Sequence, residues 1–170
     1  MSDIAADLTI LGTQERDLVF SQFDTDVAWR LGGALRQAAL DAGAALAIEI
    51  RAGRQILFHA PTPGTAAINA DWARRKGNTA AHFGRSSYAI GLALQRDQAS
   101  IEDKYGLSGV EFATQGGGFP VRLAATGALG ATPLLVGSIA VSGLPQRQDH
   151  VFVVETLARF LDLPLTMLPG

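Results

Sequence analysis

Apolar residues in this chain first recur at helical spacing. Thr13 to Phe20 predicts a short helix with Thr13 as its cap. Asp24 is a stronger N-cap, with Asp26 in the first turn after it. Val27, Leu31, Leu35, Ala38 and Ala42 then share one helix face, and Gly43 fits the left-handed position that ends it. The period next falls to two. Leu46, Ile48 and Ile50 share one face across Ala44 to Arg51, Ala52-Gly53 turns the chain, and Gln55 to His59 returns as the partner strand. Pro61, Pro63 and Gly64 stop it.

A second long helix is predicted over Thr65 to Phe83, with Ile68, Trp72, Lys76, Thr79 and Phe83 on one stripe. Gly84 ends it and Ser86 caps the next, which carries Tyr88, Ile90, Leu92 and Leu94. Asp97, Glu102, Asp103 and Lys104 mark a surface connection. Strand spacing then returns in a short segment Glu111 to Thr114, in Phe119, Val121 and Leu123, and in Leu134 to Val141. A last helix runs from about Asp149 to Leu161. Hairpins separated by groups of helices predict class α+β, with about five antiparallel strands flanked by helices. Strict strand–helix–strand alternation is missing, which argues against a Rossmann sheet.

The 170 residues match the length of one domain. The chain is 48% hydrophobic and 18% charged, which excludes general disorder. Its 14 basic and 16 acidic residues give a net charge of −2, so no broad nucleic-acid footprint is expected. No run of apolar residues is long enough to span a membrane. The first residues are acidic where a signal peptide is basic. Cysteine is absent, which removes disulfides, thiolate metal sites and cysteine nucleophiles. A soluble cytoplasmic chain is the expectation.

Four clusters carry candidate chemistry. Lys76 lies one turn from Trp72 on an otherwise apolar stripe, and Asn78 follows. Its ammonium either reaches a site edge or simply snorkels from a half-buried helix. At His82-Phe83-Gly84-Arg85-Ser86, a helix start beside Arg85 suits a carboxylate or phosphate, or forms only a capped corner. Gln115-Gly116-Gly117-Gly118-Phe119 allows close backbone approach to a ligand, or makes a wide bulge. It is neither a P-loop nor a dinucleotide fingerprint. Finally, Ser142-Gly143-Leu144-Pro145 precedes Asp149 and His150. Gly-x-Ser-x-Gly is absent, so a serine hydrolase has little support.

These residues, in this order, resemble one family. Trp72, Lys76, Asn78, the Phe83 to Tyr88 segment, Gly116 to Pro120, and Val141 to Pro145 with Asp149-His150 look like the uncharacterised proteins of the haem-degrading-domain (HbpS/GlcG-like) superfamily. The resemblance covers about residues 20–163, leaving 1–19 as an N-terminal extension of one domain spanning 1–170. It implies a profilin-like α/β/α sandwich and a compact homo-oligomer. Some relatives bind haem or another tetrapyrrole. The family usually has histidine before the glycine pair, where this chain has Gln115. Glutamine is a poor iron ligand. The segment from Ala128 to Pro133 looks longer than is usual in the family.

The leading expectation is a homo-oligomer that binds a small anionic ligand, with haem one candidate. The site residues would be Trp72, Lys76, Asn78, Arg85, Ser86, Gln115, Gly116, Gly117 and Phe119. Lys76 and Arg85 would neutralise the anion, and Trp72 and Phe119 would form a flat wall. His82 and His150 are weak metal candidates, since no spacing pairs them with a second ligand. The competing readings are a structural or regulatory interaction module and an oxidative haem-degrading enzyme.

Overall fold

Asp24 accepts the Val27 backbone N–H at 2.8 Å, and this cap starts the helix that supports the core. The structure, a computed structural model, describes residues 3–125 and 132–170. Two helices lead in, α1 (Ile4–Asp17) and α2 (Thr25–Asp41). Strands β1 (Ala47–Ala52) and β2 (Gln55–Pro61) form an antiparallel hairpin. Three helices follow, α3 (Ala67–Phe83), α4 (Ser87–Arg96) and the short α5 (Ile101–Tyr105). Strands β3 (Gly118–Leu123) and β4 (Leu134–Ser142) precede the last helix, α6 (Gln146–Leu161). The sheet is antiparallel in the order β2-β1-β4-β3.

Alternation along the strands gives the sheet two unlike faces. One presents Ile48, Ile50, Phe119, Val121, Ile139 and Val141 to α2 and α6. Leu31, Leu35, Val153, Val154 and Leu157 complete this main core. Each such side chain contributes roughly 1.5–3 kcal/mol on burial. The opposite face presents Ala47 and Ala140 to Ala73 of α3. Small residues on both sides let α3 lie close to the sheet, and that proximity brings the middle of α3 to the end of β4 and the start of α6. A satellite cluster of Leu11, Tyr88, Leu92 and Leu168 joins α1, α4 and the C-terminal tail.

Several expectations change. The first helix begins at Ile4, not Thr13. Its inward face carries Asp7, Gln14 and Glu15, all buried, so its hydrophobic period is weak. Residues Glu111 to Thr114 form no strand, which leaves four strands among the described residues where about five were expected. Their polar groups bond to α3 instead: Ala113 donates its N–H to the Arg75 carbonyl, and Asn78 donates to the Glu111 carbonyl. The charged connection holds α5, capped by the Ser100 hydroxyl. On α3 the buried stripe is rotated toward Ala73, Gly77 and Ala80, and Ile68 is exposed. The last helix starts at Gln146, which places Asp149 and His150 inside it and buries both. Residues 128–131 of the segment expected to be long lie outside the described residues.

Two helical glycines predict opposite outcomes for one substitution. A Cβ on Gly77 would stand 3.4 Å from Ser138 Oγ and 3.5 Å from Ala140 Cβ, which is ordinary contact. A Cβ on Gly91 would collide with the Thr114 carbonyl. Gly77→Ala is expected to gain up to about 1 kcal/mol from helix propensity. Gly91→Ala is expected to lose about 1–3 kcal/mol from overpacking. Urea unfolding of both variants checks the two signs.

Candidate functional site

Where α3, the end of β4 and the start of α6 meet, Lys76 and Asp149 form a buried ion pair. Lys76 Nζ lies 2.7 Å from Asp149 Oδ2, and the two residues are 3% and 0% exposed. Nζ also donates to the Val141 carbonyl at 3.2 Å. Asp149 accepts the Leu144 N–H at 3.0 Å and the Gly143 N–H at 3.4 Å. One carboxylate therefore fixes the β4–α6 turn and neutralises the lysine. Burial pushes the lysine below its ordinary pKa and the aspartate above its own, and their mutual attraction opposes both shifts.

The glycine motif closes over this pair. Side chains on Gly116, Gly117 and Gly118 would collide with the carbonyls of Gln146, Val141 and Lys76 respectively. Gly117 adopts φ +125°, a region open to glycine. Ser87 ties the motif to α4, donating to the Gln115 carbonyl at 2.6 Å and accepting the Gly118 N–H at 2.9 Å. The close backbone approach that three glycines allow is thus to the protein's own elements.

Above the pair opens a cleft of about 250 Å³, lined by Asn69, Trp72, Lys76, Gln115, Ser142, Gly143, Leu144 and Gln146. Trp72 forms one wall, and the Arg75 guanidinium stacks on its ring at 4.0 Å. A neighbouring hollow also touches Trp72 and Gln115, so these two residues stand on the ridge between them.

Of the expected site residues, Trp72, Lys76 and Gln115 come together in the cleft. The others are placed elsewhere. Asn78 bridges Arg51, whose guanidinium donates to it, and the Glu111 carbonyl. Arg85 and Ser86 do bind a carboxylate, but it is Glu15 from α1, at 3.1 Å from Arg85 Nε and 2.7 Å from the Ser86 N–H. Gly116 and Gly117 pack behind the cleft, and Phe119 belongs to the main core instead of forming a wall. His82 is exposed within an aromatic surface cluster with Phe83 and Phe112. Asn69, Ser142, Leu144 and Gln146 were not among the expected site residues, nor was Asp149. An acid partner for Lys76 was inferable, because a lysine on a buried helix stripe needs one.

His150 lies beneath the glycine motif, 1% exposed, with Nε2 2.8 Å from Gln14 Oε1 and Nδ1 without a hydrogen-bond partner. Burial, helped by the nearby Arg147 charge, holds it neutral with a pKa of about 3. Among the described residues, those lining the cleft include no histidine, methionine or tyrosine. They do not fit axial ligation of a haem iron.

Two measurements test this geometry. Lys76→Met leaves Asp149 buried without its cation and is expected to cost about 3–5 kcal/mol, much of it recovered by adding Asp149→Asn. Urea denaturation of the double-mutant cycle reads the coupling. For His150, the unfolded chain binds a proton near pH 6.5 that the folded protein refuses until about 3. The stability this residue contributes is complete above that window and is lost as pH falls through it, at about 1.4 kcal/mol per pH unit. Between about pH 6 and pH 4 the wild type should lose that much more per unit than His150→Gln.

Known proteins resemble this chain in sequence and in fold. The family model described as "Haem degrading protein HbpS-like" matches residues 23–158. A UPF0303 protein of Burkholderia mallei is 52% identical over 155 residues, covering 91% of this chain and 90% of the relative. A UPF0303 protein of Serratia proteamaculans is 48% identical over 163 residues, covering 96% and 97%. Among solved structures, the Ybr137w protein superposes with a TM-score of 0.80 at 28% identity, covering 91% of this chain and 88% of that one. A structure titled PduOC:Heme Complex reaches a TM-score of 0.65 at 16% identity over 85% and 99% of the two chains, and shows a shared fold alone. Matched by the family model from the cap of α2 to the last turns of α6, this chain belongs to the HbpS-like family, alongside the UPF0303 proteins.

Proposed function

We propose that this protein is a cytoplasmic, self-associating binder of a small anionic ligand, held in the Trp72–Lys76–Gln115 cleft without a chemical step. The whole of 1–170 acts as one domain in this reading. The observation that carries it is that Lys76, a buried lysine, lines the cleft. An ammonium has three N–H donors. Among the described residues its acceptors are Asp149 and Val141, and this reading gives the third donor to the ligand. Buried ion pairs add little to stability over well-packed apolar residues. Retaining one at a cleft floor therefore favours a binding role. Trp72 supplies an apolar plane, and the Asn69, Gln115 and Gln146 amides supply neutral hydrogen bonds.

An anion bound here meets a lysine already paired with Asp149, so affinity rests on the spare donor and on Trp72. That favours a flat ligand with one anionic group over a bare, highly charged anion. Haem agrees with the family's name and with one neighbour's title. The cleft residues supply no histidine, methionine or tyrosine for its iron, and the Lys76 nitrogen is taken up by Asp149 and Val141.

The chain has two tryptophans, so Trp29→Phe leaves Trp72 as the single fluorescent reporter. Benzoate, as a flat carboxylate, is expected to change that fluorescence saturably. Inorganic phosphate is expected to bind more weakly. Against the wild type, Trp72→Ala should weaken benzoate binding at least tenfold by calorimetry, about 1.4 kcal/mol. No saturable response at millimolar benzoate would contradict the reading. Added haemin should show no histidine-ligated Soret spectrum, and a stoichiometric one would favour the haem reading instead.

A further inference from the structure

The cleft does not end at Trp72 and Gln115. Beyond them lies the neighbouring hollow, about 420 Å³, among α3, α4, α5 and the chain that follows α5. Among the described residues, Trp72 and Gln115 are the two that line both spaces. The cleft alone holds about 250 Å³, below the roughly 300 Å³ at which small-molecule sites begin, and the hollow carries the joined space into that range. The floor of the hollow is apolar. Leu94 and Ile101 are buried there in one cluster, and Ala99 and Phe112 pack against them.

The charges on its rim do not make the hollow an anion site. Arg75 donates to Asp71 at 2.9 Å and to the Gly109 carbonyl at 3.2 Å. The Glu102 carboxylate accepts the Gly109 N–H at 2.7 Å and lines the same hollow. A second anionic group placed here meets that carboxylate, whereas in the cleft it meets Lys76. The two spaces therefore differ in kind: one offers a cation beside an aromatic plane, the other an apolar floor. Arg75 lines the hollow and not the cleft, so its stacking braces Trp72 from the hollow side and leaves the cleft side for an aromatic head. The Gln115 carbonyl is held by the Ser87 hydroxyl, while Gln115 itself is exposed. A flexible chain can pass over it without disturbing the glycine motif.

We propose that the hollow is a second subsite, which takes the uncharged apolar tail of a ligand whose flat anionic head lies in the cleft. The ligand class is an aromatic carboxylate bearing a flexible alkyl chain. The proposal rests on the cleft reading and names the part of the ligand that this reading leaves open. Lys76 sets the direction, with the carboxylate in the cleft and the tail toward the hollow. Burying the tail against Leu94, Ile101 and Phe112 removes apolar surface from water and adds affinity. A rigid linear extension runs into the Trp72–Gln115 ridge, so the flexibility of the chain belongs to the class.

Calorimetry with benzoate and para-butylbenzoate tests the proposal. Each has one ring and one carboxylate, and they differ by the butyl chain. The wild type is expected to bind para-butylbenzoate at least about tenfold more tightly than benzoate. Ala99→Phe and Gln95→Trp each put a ring into the hollow, and each should bring the two affinities to within about twofold of one another. Gln95 is exposed on α4, so its replacement keeps the test open if Ala99→Phe fails to fold. A carboxylate added at the end of the butyl chain should remove the gain, because it is brought to Glu102. Equal wild-type affinities for benzoate and para-butylbenzoate would overturn the subsite and leave the cleft reading standing. A gain that both variants preserve would place the tail elsewhere and overturn the subsite. A diacid that binds as tightly as para-butylbenzoate would overturn the uncharged class. No binding of either monoacid would overturn the cleft reading and the subsite with it.

Discussion

The ion pair between Lys76 and Asp149 holds together three parts of the chain that are far apart in sequence. Lys76 comes from the middle of α3, and Asp149 lies in the first turn of α6. The aspartate also accepts the two N–H groups of the turn that follows β4. The glycine motif then packs over the pair, with Lys76 Nζ 3.1 Å from the place a Gly117 Cβ would take. Each partner is costly to bury alone and acceptable together. Small residues on the α3 face of the sheet are what allow the helix to come close enough. The cleft is the space left above this arrangement.

A second constraint is the internal matching of buried charge. Glu15 is buried beneath Arg85 and Ser86, and Asp7 beneath Arg147, which also donates to Tyr88 and to the Pro169 carbonyl. Gln14 meets both His150 and the Thr166 carbonyl. Thus α1 and the C-terminal tail are held on the body by polar side chains as much as by the Leu11–Leu168 cluster. Lys76 differs from Arg85 in its place: it lines the cleft, whereas Arg85 stands over Glu15.

Elements with local signals were legible in the sequence. Asp24 and Ser86 cap the helices they were expected to cap, Gly43 and Gly84 adopt the left-handed conformation after α2 and α3, and the β1–β2 hairpin turns where expected. Signals that depend on distant partners were not. The inward face of α1 reads as solvated because the partners of Asp7, Gln14 and Glu15 come from α4, α6 and the tail. Glu111 to Thr114 has strand composition, yet its backbone bonds to a helix. The chemistry read at Arg85 and Ser86 was a carboxylate site, and the carboxylate is the chain's own. Spacing reports what a residue type can bind, but only the fold decides whether the protein has already supplied it.

Lys76 should be a charged ammonium at neutral pH, held by Asp149 and still able to donate to a ligand. Nitrogen-15 NMR of lysine Nζ, recorded while benzoate is added, measures this directly. The account predicts an ammonium signal for Lys76 at pH 7 that shifts saturably with benzoate and keeps its coupling to Asp149. A neutral amine at pH 7, or an ammonium signal that benzoate leaves unmoved, would contradict it.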